Sequence, residues 1–130
     1  MTFTENIYNK LIDIAHISTD QFSTAWLGQS RSYYSSNKAR GIEASSSALV
    51  KLMNKLIEHK SLLEANARHP FIFETAKRYE SLAREVGIEI ASRSIKKDIA
   101  NGVVKDMLIQ SVAEIGEPRN PPSSPIFIGF

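Results

Sequence analysis

Apolar residues recur at helical spacing along most of this chain. Ile7, Tyr8, Leu11, Ile12 and Ala15 form one stripe, which predicts an amphipathic helix over about residues 4–16. Thr2 followed by Glu5 has the form of a capping box, in which each residue ties up an amide the first turn leaves open. A second helix is expected from Thr19 or Asp20, where Ser18 with Gln21 offers another box. Phe22 and Trp26 stand four apart and share a face, flanked by Leu27. Gly28 ends this helix, because glycine reaches the left-handed conformation of a sharp turn without steric cost. Ser30 then stands where it can cap a third helix, about residues 31–39, which Gly41 stops. Tyr33 and Tyr34 are the only large apolar bodies of that helix, so one of them must face the core.

Ile42-Glu43-Ala44-Ser45-Ser46-Ser47 reads as a polar connector with several caps. Leu49, Leu52, Met53, Leu56 and Ile57 predict a fourth helix over about residues 46–60, which Leu62 and Leu63 can prolong towards Ala67. His69-Pro70 breaks the pattern, since the residue before proline avoids the helical region and proline suits a first helical turn. Ile72, Ala76, Tyr79, Ala83 and Val86 predict a fifth helix over about residues 71–86. Gly87 either ends it or bends it, and Ile88, Ala91, Ile95 and Ile99 carry the period on. Asn101-Gly102 reads as a stop, and Val104, Leu108, Val112 and Ile115 as a last helix over about residues 103–115. From Glu117 to Pro125 there are four prolines in nine residues. That stretch is neither helix nor central strand but an extended tail, closing in Ile126-Phe-Ile-Gly-Phe130. No internal repeat or strand-like alternation is present. The expectation is an all-α chain: a four-helix unit over residues 1–68, a helical extension over 69–116, and a Pro-rich tail over 117–130.

Composition fits a folded domain. Of 130 residues, 42% are hydrophobic and 23% charged, enough to build a core without staples. There is no cysteine, which excludes a disulfide framework and a thiolate metal site and suits a reducing compartment. The first residues lack the basic start and apolar core of a secretory signal, and no run approaches a membrane span. These features lead us to expect a cytoplasmic protein without membrane contact.

The net charge of +2 says little, but its distribution says more. Residues 69–130 hold eight cations and eight anions. Between Gln29 and Ile57 the cations are Arg31, Lys38, Arg40, Lys51 and Lys55, against Glu43 alone. That local excess of four would attract phosphate where the global charge would not. Residues 22–40 contain no acid at all. Chemistry of other kinds has little support. His16, His59 and His69 lack paired metal-ligand spacing. No phosphate-cradling glycine run or nucleophile elbow is present. Acid pairs such as Glu85 and Glu89 fall on a helix surface of alternating charge with Arg84 and Arg93. We expect no enzyme, no metal and no cofactor.

Leu27-Gly28-Gln29-Ser30-Arg31-Ser32, then Tyr34-Ser35, Gly41 and the downstream Ser47-Ala-Leu-Val-Lys-Leu-Met-Asn-Lys-Leu56 together resemble a helix-turn-helix of the phage-repressor type. The Trp26-Leu-Gly-x-Ser-x-Ser-Tyr-x-Ser35 core also looks like small uncharacterised proteobacterial proteins with predicted DNA-binding regions. The resemblance covers roughly residues 5–60 and implies a DNA-binding regulator of transcription. Residues 31–39 would be the reading helix and double-stranded DNA the partner. Gln29, Ser30, Arg31 and Ser32 would open that helix towards bases and phosphate. Ser35, Ser36 and Lys38 would follow one turn on, and Arg40, Lys51 and Lys55 would hold phosphates. Arginine suits the two acceptors of guanine and glutamine suits adenine, whereas phosphate contacts set position. Such helices usually act in pairs, so a homodimer through residues 71–115 is expected. The sequence departs from the pattern at Ser23 and Asn37, where apolar residues are usual, and Phe22 and Trp26 sit one place out of frame. The competing reading is a helical adaptor or anti-activator that binds a protein, with the C-terminal tail as a possible docking segment.

Overall fold

A computed structural model describes residues 1–66 and 68–100 of the chain. Among the described residues the chain is all-α, with no strand: α1 (Phe3–Ala15), α2 (Thr19–Gln21) running directly into a π-helical segment (Phe22–Trp26), α3 (Tyr33–Ala39), α4 (Ser46–Ala65) and α5 (Pro70–Ala100). The stop expected at Asn101-Gly102, the last helix and the Pro-rich tail lie outside the described residues.

Two compact units divide the chain, Met1–Arg93 and Ser94–Phe130. In the first unit, Ile7 and Leu11 of α1, Phe22, Trp26 and Leu27 of the second helical run, and Tyr34 of α3 share one buried cluster. Leu49, Leu52 and Leu56 of α4 and Tyr79, Leu82, Ala83 and Val86 of α5 complete it. Each large side chain buried in this way contributes about 1.5–3 kcal/mol. The unit therefore runs past the boundary expected at residue 68, because the apolar stripe of α5 fills the same core as the first four helices. Of the second unit, the described residues are 94–100, the end of α5, where Ile95 and Ile99 are exposed.

Helix ends follow the local signals closely. Thr2 and Glu5 form the α1 capping box, and Ser18 and Gln21 the α2 box. The start of α1 is further satisfied by Glu43, whose carboxylate accepts from the amides of Phe3 (2.7 Å) and Thr4 (3.0 Å) and from the Thr4 hydroxyl (2.7 Å). Ser45 caps α4 by accepting from the Ala48 amide, and His69 Nδ1 accepts from the Phe71 amide at the start of α5. α3 ends in a Schellman motif: Gly41 N–H bonds the Lys38 carbonyl, Ile42 N–H bonds the Asn37 carbonyl, and Gly41 takes φ +67°.

Three expectations need correction. Ser30 does not cap α3; the helix starts two residues later, Ser32 is its N-cap, and that side chain makes no capping bond. Gly87 does not end α5, which runs through it to Ala100. The second helix is not α-helical throughout. Over Phe22–Trp26 its bonds widen to π type, with Leu27 N–H on the Phe22 carbonyl at 2.9 Å. A π turn fits one extra residue into the helix. Phe22, Ser23 and Trp26 within it and Leu27 just after it are all buried.

Candidate nucleic-acid interface

The second helical run, the turn at Gly28 and α3 form the region the sequence singles out. Gly28 takes φ +65°, so the chain reverses where only glycine does so freely. Beyond it, Gln29 N–H reaches back to the Ser23 carbonyl at 2.8 Å. Ser23 is fully buried, and its Oγ accepts from the Tyr34 amide at 2.9 Å. That amide is one of the donors a helix start leaves open. The departure at Ser23 is thus a cap delivered from the preceding helix, which explains why neither Ser30 nor Ser32 performs the task locally.

Tyr34 is the core tyrosine. Its ring meets Phe22 edge-on at 5.0 Å and Tyr8 tilted at 4.9 Å. Burial, then the charge of Glu5, pushes its phenol up to about 12. The Tyr33 hydroxyl accepts from the Ser45 amide at 2.9 Å, linking α3 to the start of α4. The two tyrosines therefore fasten α3 to the body from one side. On the other side, Ser35, Ser36, Lys38, Ala39 and Arg40 are exposed.

Because α3 starts at Tyr33, Gln29, Ser30, Arg31 and Ser32 lie in the turn ahead of the helix and not within it. Ser30, Arg31 and Ser32 are exposed, and Gln29 is half-buried with its side-chain amide donating to the Leu27 carbonyl at 3.3 Å. Lys51 is exposed on α4, yet it belongs to this region. A Cβ added to Gly28 would stand 2.5 Å from Lys51 Cδ, so the lysine stem runs along the turn glycine. Lys55 lies a turn further, half-buried, and pairs with Glu58 at 3.5 Å. Lys38, Arg40 and Lys51 make no ion pair with any described residue.

The acids nearby are spoken for. Glu43, the single acid among residues 29–57, points to the α1 amides, 3.9 Å from the Arg93 guanidinium. Burial would raise its carboxyl, but the Thr4 hydroxyl, the Phe3 and Thr4 amides and Arg93 together hold it below the ordinary carboxylate value. Sequence counting missed a second acid, because it lies just before the counted window. Asp20 of α2 accepts from Arg31 Nε at 3.1 Å.

The histidines have other work. His59 packs near-parallel to both Trp26 (4.7 Å) and Tyr79 (5.5 Å), which lie 6.4 Å from each other, and burial, then the Lys55 charge, lowers its pKa. His16 ends α1 in the left-handed conformation, and His69 caps α5. Among the described residues no three His, Asp or Glu side chains gather as a metal site, and no helix is long and apolar enough to cross a membrane.

A second surface feature was not foreseen. Met53, Ile57, Ala83, Gly87, Ile88 and Ala91 line a groove of about 510 Å³ between α4 and α5. Lys60, Glu80 and Arg84 also line it, and its exposed apolar residues are Ile88, at 65%, and Ile57, at 44%. The sequence placed Ile57 in the inward stripe, but α4 turns it outward, where it lines the same groove as Ile88.

No curated protein matches this chain, and no solved structure matches it. A family model described as "Family of unknown function (DUF6626)" matches residues 4–99. That span takes in every described helix except the first residue of α1 and the last of α5, and the chain belongs to this family.

Proposed function

We propose that this protein binds double-stranded DNA through a divergent helix-turn-helix and regulates transcription, with α3 and the turn before it as the reading element. The observation that carries the proposal is the exposure of α3. Tyr33 and Tyr34 fix one side to the body, while Arg31, Ser32, Ser35, Ser36, Lys38 and Arg40 stand free of the core. A duplex major groove, about 12 Å wide, admits one helix with a cationic and hydroxyl-rich face. Of the two carboxylates near this face, Glu43 is turned to the start of α1, and Asp20 engages Arg31 through Nε alone.

In this reading Arg31 reads a base edge, Gln29, Ser30, Ser32, Ser35 and Ser36 line the contact, and Lys38, Arg40, Lys51 and Lys55 hold the phosphate backbone. The reader is a homodimer, as expected for an element that covers a single half-site. The experiment is selection of bound duplexes from a randomised pool with the full chain, followed by affinity measurement across salt. Binding should fall steeply between about 50 and 200 mM salt. Absence of any retained duplex at the low end overturns the proposal.

The α4–α5 groove favours a second reading, a helical module that binds protein. Exposed Ile57 and Ile88 beside Met53 form the kind of apolar strip that marks contact surfaces. A stable hetero-complex with no DNA retention supports that reading.

A further inference from the structure

Asp20 and Arg31 meet across the turn. The contact uses Arg31 Nε, at 3.1 Å from Asp20 Oδ2. A guanidinium has five N–H donors in a planar fork. With Nε engaged, one N–H of the nearer terminal nitrogen points the same way as Nε–H, but neither terminal nitrogen donates to a described residue, so the two are open to act together as an end-on fork. An end-on fork of this kind can pair with O6 and N7 of guanine. Arg31 is 80% exposed on its side chain and Asp20 54%, so this fork opens to solvent and not into the core.

The backbone beneath Asp20 is well held. The Ser18–Gln21 capping box closes the first turn of α2, the Phe22 amide bonds the Ser18 carbonyl at 2.9 Å, and the Thr24 hydroxyl donates to the Asp20 carbonyl at 3.0 Å. Gly28 and the Ser23–Tyr34 bond fix the return of the chain to Arg31. An exposed ion pair adds little to stability. Its consequence lies in orientation and charge. The carboxylate limits the rotamers of a long side chain before binding, and it penalises approach of a phosphate to the same guanidinium.

We infer that Asp20 is a positioning residue for sequence choice: it presents the Arg31 fork to a guanine edge and denies that arginine to the phosphate backbone. The inference rests on the DNA-binding reading above. The probes are one duplex recovered by selection and one duplex of random sequence, each titrated with the full chain. Asp20→Asn should weaken the selected duplex while leaving the random duplex unchanged or tighter, so that their affinity ratio falls about tenfold. Asp20→Glu, which keeps the carboxylate, should restore most of the ratio. In an Arg31→Ala background, Asp20→Asn should leave the ratio unmoved. Equal tightening on both duplexes would show simple charge repulsion and overturn the inference, as would an unchanged ratio. Either of these results leaves the DNA-binding reading standing, whereas a wild-type chain that retains neither duplex removes both.

Discussion

Ser23 Oγ, buried inside the second helical run, accepts the amide hydrogen of Tyr34 at 2.9 Å and so caps the helix that follows it. Ser23→Ala would leave that amide buried without a partner, at a cost of about 1–3 kcal/mol. Chemical denaturation should show this loss. The surface serines Ser35 and Ser36, replaced by alanine, should change stability by less than about 0.5 kcal/mol.

Gly28 and Gly41 both take positive φ, but their surroundings differ. A methyl group on Gly41 meets nothing within 4 Å, whereas one on Gly28 collides with the Lys51 stem. Gly41→Ala should cost about 1–2 kcal/mol from backbone strain alone. Gly28→Ala should cost a similar amount, because the exposed Lys51 stem that its methyl group would meet is flexible enough to move aside. Chemical denaturation of the two variants should give penalties within about 1 kcal/mol of each other.

His16 is the only described residue other than glycine with positive φ, at 50°. Replacing it with glycine relieves about 1–2 kcal/mol of steric cost and adds about 0.5–1 kcal/mol of chain entropy. His16→Gly should therefore raise the melting temperature slightly, and a fall would show that the imidazole makes a contact of its own.

Acid should weaken the fold in two steps. His59 has a folded pKa below its ordinary 6.5, so the unfolded chain takes up its proton first. Its stabilising effect is complete above pH 6.5 and is lost as pH falls towards the folded value. Glu43 is likewise depressed, from 4.5. Its contribution is complete above pH 4.5 and is lost as pH falls through its folded value. Melting temperature against pH should show both steps. His59→Phe should remove the upper one, and Glu43→Gln the lower one at the expense of stability at neutral pH.

Cations of the candidate interface should separate by role. Arg31→Ala should weaken a selected duplex by about 1–3 kcal/mol while sparing random DNA. Lys38→Ala, Arg40→Ala and Lys51→Ala should weaken both alike and reduce the salt slope by about 1 each. Quantitative binding at several salt concentrations distinguishes these patterns.

Much of the fold was legible from the chain because its signals are local. Capping boxes at Thr2–Glu5 and Ser18–Gln21, the glycines at 28 and 41, and the break at His69-Pro70 act over a turn or less, and their residues carry them wherever the helix packs. Leucine spacing in α4 likewise placed Leu49, Leu52 and Leu56 inward. Tertiary structure decided what depends on partners distant in sequence. It widened the second helix to π form so that Phe22, Ser23, Trp26 and Leu27 could all be buried. It also drew Glu43 to amides some forty residues away, and Asp20 to Arg31. Gly87, which local propensity offers as an end or a bend, lies inside α5, where an added Cβ would stand 3.3 Å from Met53 Sδ. A sequence states which residues carry charge and which can cap; only packing determines which of those charges are already engaged.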